Sequence, residues 1–279
     1  MPTFAFQQVD VFTSKRLKGN PLAVVIGADG LSDDTMAALA SWTNLSETTF
    51  LLKPTSPEAD YQLRIFTPSG ELPFAGHPTL GSCHVWLSTG NKAKQVHVVQ
   101  ECAVGLVRIK RDGNRLAFAA PPLRRTGPVE SNVLDQIVQG LRISHEAVKA
   151  SQWIDNGPGW VAVMLSSRAD VLALKPDYPA LGDLKLGVVA PWDAARDGKD
   201  ASFEVRSFIC DRANEDPVTG SLNAGLAQWL IGAGLAPDAY IASQGTVLGR
   251  EGRVHVDRQG DDIWIGGETT ACIEGTLTL

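Results

Sequence analysis

Glu47, His77 and Asp216 are the side chains whose types and settings could move a proton on a small molecule. Glu47 lies in Asn44-Leu-Ser-Glu-Thr-Thr-Phe-Leu-Leu52, which reads as a strand following the first helix. Strand alternation sets Glu47 on one face with Leu45, Thr49 and Leu51. If that face is buried, desolvation raises the carboxyl pKa toward the range of a general acid/base; a strand-end glutamate at a sheet margin is the other reading. His77 follows Ala75-Gly76 at the start of an apolar helix. There the helix dipole opposes protonation, so a neutral ring could hydrogen-bond a substrate or serve as a cap. Asp216, in Glu215-Asp216-Pro217, stands just before a second such start; it is a candidate for chemistry or an acid drawn to a positive helix end.

The two helix starts belong to a repeat. Glu71–Gly90 lies without gaps on Glu215–Gly234 at an offset of 144, pairing Glu71, Pro73, Gly76, Gly81 and Gly90 with Glu215, Pro217, Gly220, Gly225 and Gly234. Val104–Ala120 likewise lies on Glu251–Gly267 at an offset of 147, each half reading as a strand, a turn and a returning strand. A looser pair sets Lys18–Ile26 beside Asn156–Met164. His77 and Ser221 occupy equivalent places, and Pro78 suits the first helical position. Helix starts present unsatisfied N–H groups and the positive end of a dipole, so Gly76, Gly220 and Ser221 could hold a carboxylate without a basic side chain. The plainer role of the glycines is close helix–strand packing, which the duplication argues against.

Two similar lobes must carry these residues: an N-terminal lobe over 1–121 and a C-terminal lobe over 122–269, with 270–279 returning to the first. Helices are expected near Ser32–Trp42, Thr79–Ser88, Val133–Gly140 and Ser221–Gly232. Short β-branched strands outnumber them, so the class is α+β, each lobe a sheet or barrel wrapped around one principal helix. A net charge of −6 with no basic cluster argues against nucleic acid or an anionic membrane as partner. No apolar run reaches the length of a membrane span, and the first ten residues do not read as a signal peptide. The four scattered cysteines form no CxxC pair and read as reduced thiols of a cytoplasmic protein. No histidine lies at metal-ligand spacing from further ligands, so no metal is expected.

The blocks QVDVFTSKRLKGNPLAVVI, NLSETTFLL, RIFTPSGELPFAGHPTLGS, EDPVTGSLNAGLAQWL and QGTVLGREGRV together resemble the PhzF family of phenazine-biosynthesis isomerases, over nearly the whole chain. The resemblance implies the two-lobed diaminopimelate epimerase-like fold and a cofactor-independent isomerase acting on a small carboxylate-bearing substrate in an inter-lobe cleft. It implies Glu47 as acid/base, His77 and Asp216 around the substrate, Gly76, Gly220 and Ser221 as anion-binding turns, and plausibly a homodimer. Related epimerases and proline racemases carry a cysteine immediately before each turn glycine, where this chain has Ala75 and Thr219; Cys83 and Cys210 read as core residues. An epimerase or racemase working through carboxylates, and a non-catalytic binding member, are the alternatives.

Overall fold

The computed structural model describes residues 2–279, which divide into two compact units, 2–119 with 266–279 and 120–265. The first unit runs β1 (Thr3–Val11), β2 (Asn20–Ile26), α1 (Asp33–Thr43), β3 (Thr48–Leu52), β4 (Tyr61–Thr67), β5 (Gly70–Leu72), α2 (Gly76–Ser88), β6 (Val98–Cys102), β7 (Gly105–Asp112) and β8 (Arg115–Ala119). The second runs β9 (Arg125–Gly127), α3 (Ser131–Leu141), β10 (Ala150–Asp155), β11 (Trp160–Met164), α4 (Arg168–Ala173), α5 (Tyr178–Leu181), β12 (Lys185–Pro191), β13 (Phe203–Ile209), β14 (Asn214–Glu215), α6 (Gly220–Gly232), β15 (Ala239–Gln244) and β16 (Gly252–Gln259). The last strand, β17 (Asp262–Thr278), runs from the second unit into the first.

In the first unit the pairings β1–β2, β2–β3, β3–β4, β4–β6, β6–β7, β7–β8, β8–β17 and β17–β1 close a ring of eight strands. β2–β3 and β4–β6 are parallel. Each therefore needs a crossover, which α1 and α2 supply. α2 touches β1, β2, β3, β4, β6 and β8 and is buried from Gly76 through Cys83. A helix apolar on every side must be enclosed, and here the barrel encloses it. α1 packs on the outside, where Met36, Leu39 and Ala40 meet Val25, Phe50 and Phe66.

From β10 to β16 the second unit repeats the order of parallel and antiparallel pairings seen from β1 to β7. β10–β11, β12–β13, β13–β14 and β15–β16 are antiparallel. β11–β12 and β13–β15 are parallel, with α4 and α5 in the first crossover and α6 in the second. α6 is buried on all sides, whereas α3, α4 and α5 cover the outside around Ile137, Leu141, Val171 and Leu181. The α+β class, with one enclosed helix at the heart of each lobe, is as the sequence indicates.

Details depart from the sequence reading. Both enclosed helices begin at their turn glycines, so Pro78 is the third helical residue, not the first; its missing N–H still falls among the donors a first turn leaves unbonded. α4 and α5 were unforeseen: they are six and four residues long, too short for a periodic apolar face. Among the described residues no helix is long and apolar enough to cross a membrane, and no group of three or more His, Cys, Asp or Glu could hold a metal ion.

Candidate active site

Strand and helix periods bring the first unit's polar residues together. On β2, Asn20 and Leu22 share the face turned to α2, and a Cβ on Gly81 would meet the Leu22 side chain. Two strand residues span about 6.7 Å. The four residues from His77 to Gly81 rise about 6 Å along a helix. With Leu22 against Gly81, Asn20 reaches the ring of His77, and its Nδ2 lies 3.3 Å from Nδ1.

Glu47 comes to the same ring from the other side. α1 ends at Asn44 in the left-handed conformation (φ 53°), which asparagine tolerates. The chain returns through Leu45 and Ser46, and Glu47 immediately precedes β3. The sequence reading set Glu47 within the strand. The structure places it in the turn before it, because the left-handed cap uses those residues to reverse the chain. The alternation nonetheless continues into β3: Thr49, two residues on, faces α2 and accepts a hydrogen bond from the Ser82 hydroxyl. Glu47 Oε2 lies 3.1 Å from His77 Nε2, with the side chains 15% and 5% exposed. The two atoms are close, but their alignment falls short of a hydrogen bond. Burial pushes the His77 imidazole down to about 3, so the ring is neutral at physiological pH and acts as a hydrogen-bonding group instead of a charge.

In the second unit α6 presents the equivalent start. Ser221 Oγ accepts from the Trp160 indole N–H at 3.0 Å, and the Ser221 carbonyl accepts from Asn156 Nδ2 at 2.8 Å. Asp216 follows β14, with its N–H on the Ser207 carbonyl at 3.0 Å. Its Oδ2 accepts from the Thr219 hydroxyl at 2.5 Å. Gln244 anchors this turn with four bonds: Oε1 accepts from Thr219 N and Asn223 Nδ2, and Nε2 donates to the Asp216 carbonyl and Thr219 Oγ1. Neither Ala75 nor Thr219 caps its helix with a side chain. The first-turn N–H groups of both helices therefore donate to no N-cap side chain.

Glu47, His77, Gly76 and Asn20 therefore form one group in the first unit, and Asp216, Gly220, Ser221, Trp160 and Gln244 another in the second. Asn20, Trp160 and Gln244 carried no assigned role in the sequence reading. For Gln244 a signal was present: Gln100 and Gln244 stand 144 apart, as do their partners Thr79 and Asn223, and Gln100 Nε2 donates to Thr79 Oγ1. The thiols are poor acid/base candidates, since burial pushes Cys83 up to about 12 and Cys210 to about 11.

A family model described as phenazine biosynthesis-like protein (PhzC-PhzF) matches residues 9–275. The chain is 36% identical to a fission-yeast (Schizosaccharomyces pombe) protein called antisense-enhancing sequence 1, over 99% of both chains. It is 32% identical to trans-2,3-dihydro-3-hydroxyanthranilate isomerase of Pseudomonas aeruginosa, over 95% of this chain and 92% of that one. Among solved structures, a PhzF-family protein of Enterococcus faecalis superposes with a TM-score of 0.83 at 26% identity, covering both chains fully. A hydroxyproline epimerase of Agrobacterium vitis shares the fold at a TM-score of 0.58 and 14% identity, over 99% of this chain and 92% of that one.

Proposed function

The chain belongs to the phenazine biosynthesis-like family, and from that premise we propose that this isomerase shifts a proton between two carbons of a small carboxylate-bearing substrate, with Glu47 as its acid and base. The observation that carries this reading is the 3.1 Å contact of Glu47 Oε2 with the buried, neutral His77. A carboxylic acid has the reach to give its proton to one carbon and recover one from another on the same face. A neutral histidine beside it orients the carboxyl without competing for the proton.

In the second unit, Asp216, Gly220 and Ser221 form a candidate anion-binding group of their own. An indole N–H can only donate, so Ser221 Oγ accepts from Trp160. The Ser221 hydroxyl proton is then left for an acceptor such as a carboxylate, beside the first-turn N–H of Gly220. Two-thiol racemisation is disfavoured, since Ala75 and Thr219 stand where such enzymes carry cysteines and the Thr219 hydroxyl is engaged with Asp216 and Gln244. No cofactor enters this scheme.

The test is turnover of trans-2,3-dihydro-3-hydroxyanthranilate, the compound for which the Pseudomonas aeruginosa relative is named, and of related cyclic dienyl carboxylates in deuterated water. Wild-type protein should move a proton to a new carbon of at least one of them. Glu47→Gln should abolish that turnover while leaving the circular dichroism spectrum and melting temperature near wild type. Full activity in Glu47→Gln would sink the mechanism.

A further inference from the structure

The two enclosed helices share a device that names a positioning residue. In each unit a side-chain N–H from the first residue of the second barrel strand reaches the second residue of the enclosed helix: Asn20 to His77, and Trp160 to Ser221. In the second unit the direction is unambiguous, because an indole nitrogen has no acceptor capacity. β2 and α2 hold the places in the first unit that β11 and α6 hold in the second, so Asn20 occupies the same donor station in the first. We propose that Asn20 is a positioning residue that donates from its amide to His77 Nδ1, holds the ring as the Nε2–H tautomer and thereby makes His77 a donor toward Glu47.

The geometry of the chain of three groups supports this assignment. Asn20 is fully buried and His77 nearly so, so the ring cannot exchange its partners for bulk water. With Nδ1 accepting from Asn20, the single ring proton sits on Nε2, 3.1 Å from Glu47 Oε2. The reverse orientation would put the Asn20 carbonyl on Nδ1–H and aim the Nε2 lone pair at a carboxylate oxygen. That arrangement is repulsive unless Glu47 keeps a proton on that oxygen. Asn20 thus decides which of the two partners supplies the proton in their contact, although it touches no reacting atom.

The catalytic meaning of this inference rests on Glu47 being the proton carrier, but the tautomer can be measured without any substrate. Nitrogen-15 histidine spectra of the intact protein at pH 7, with His77 assigned by its loss in His77→Asn, should show Nε2 protonated and Nδ1 bare. In Asn20→Asp, an acceptor-only side chain faces Nδ1, so the proton should move to Nδ1. Asn20→Leu should leave a mixture of the two tautomers. Where a substrate is turned over, both variants should lose kcat at least tenfold with little change in KM. A native spectrum with the proton on Nδ1, or a charged ring, overturns the proposal. So does an unchanged tautomer in a folded Asn20→Asp. Full activity in Glu47→Gln alongside the expected spectrum would instead overturn the reading of Glu47 and leave the tautomer assignment standing.

Discussion

Burial at His77 penalises the protonated ring, and that gives the fold a signature in acid. The folded ring titrates at about 3, against roughly 6.5 in an unfolded chain. Between those values the unfolded state takes up a proton that the folded state refuses, so stability is present above pH 6.5 and is lost as pH falls toward 3. Replacing His77 by Gln should remove about 1.4 kcal/mol per pH unit from the slope of unfolding free energy across pH 6 to 4, measured by urea denaturation. An identical slope in both proteins would contradict the buried neutral ring. Gln244 offers a second test. It makes four hydrogen bonds around the α6 start, and Gln100 makes two, to Tyr61 and Thr79. An unsatisfied buried polar group costs about 1–3 kcal/mol, so Gln244→Met should destabilise more than Gln100→Met in the same titration. At this scale the sequence was only partly legible. The repeat singled out His77 and Ser221 as equivalents, but the partners of each lie on other strands. Asn20 meets His77 because of a β2-to-α2 register across 57 residues, and no local pattern carries that information.

Each enclosed helix lies so close to its barrel that a glycine is required where it touches. A Cβ on Gly81 would stand 2.6 Å from Leu22 Cδ2 and 2.9 Å from Val11 Cγ2; one on Gly225 would stand 2.4 Å from the Ile154 carbonyl oxygen. Alanine would otherwise favour either helix by about 1 kcal/mol, so any net loss understates the packing penalty by about that amount. Side-chain ends can rotate away and a strand carbonyl cannot. Gly81→Ala should therefore cost about 1 kcal/mol, and Gly225→Ala about 3 kcal/mol or more, read from thermal unfolding. The reverse order would show that the helices are not held as described. These glycines were visible in the sequence as matched positions, and the helices around them were legible from apolar periodicity. α4 and α5 were not, because Pro176 and Pro179 interrupt a stretch too short to show a period. The turn position of Glu47 was also hidden, since a left-handed Asn44 ends α1 with no glycine to mark it.

Over the whole molecule, the α+β class and the doubled architecture were legible because the turn glycines and hairpins recur at nearly constant spacing. The closure of the first ring was less so, since β17 pairs with β1 along Thr269–Thr278, some 260 residues away in the chain. A chain ending at Ile265 would leave β1 and β8 each with an unpaired edge. Hydrogen exchange should then show protection lost in β1 and β8 and retained in α6, and equal protection in both would count against the ring as the unit of stability. The same strand makes the first unit discontinuous in sequence. Without 266–278, residues 3–119 hold every strand of their ring but the one that closes it. The first unit is thus complete only once a segment that follows the whole of the second unit has joined it.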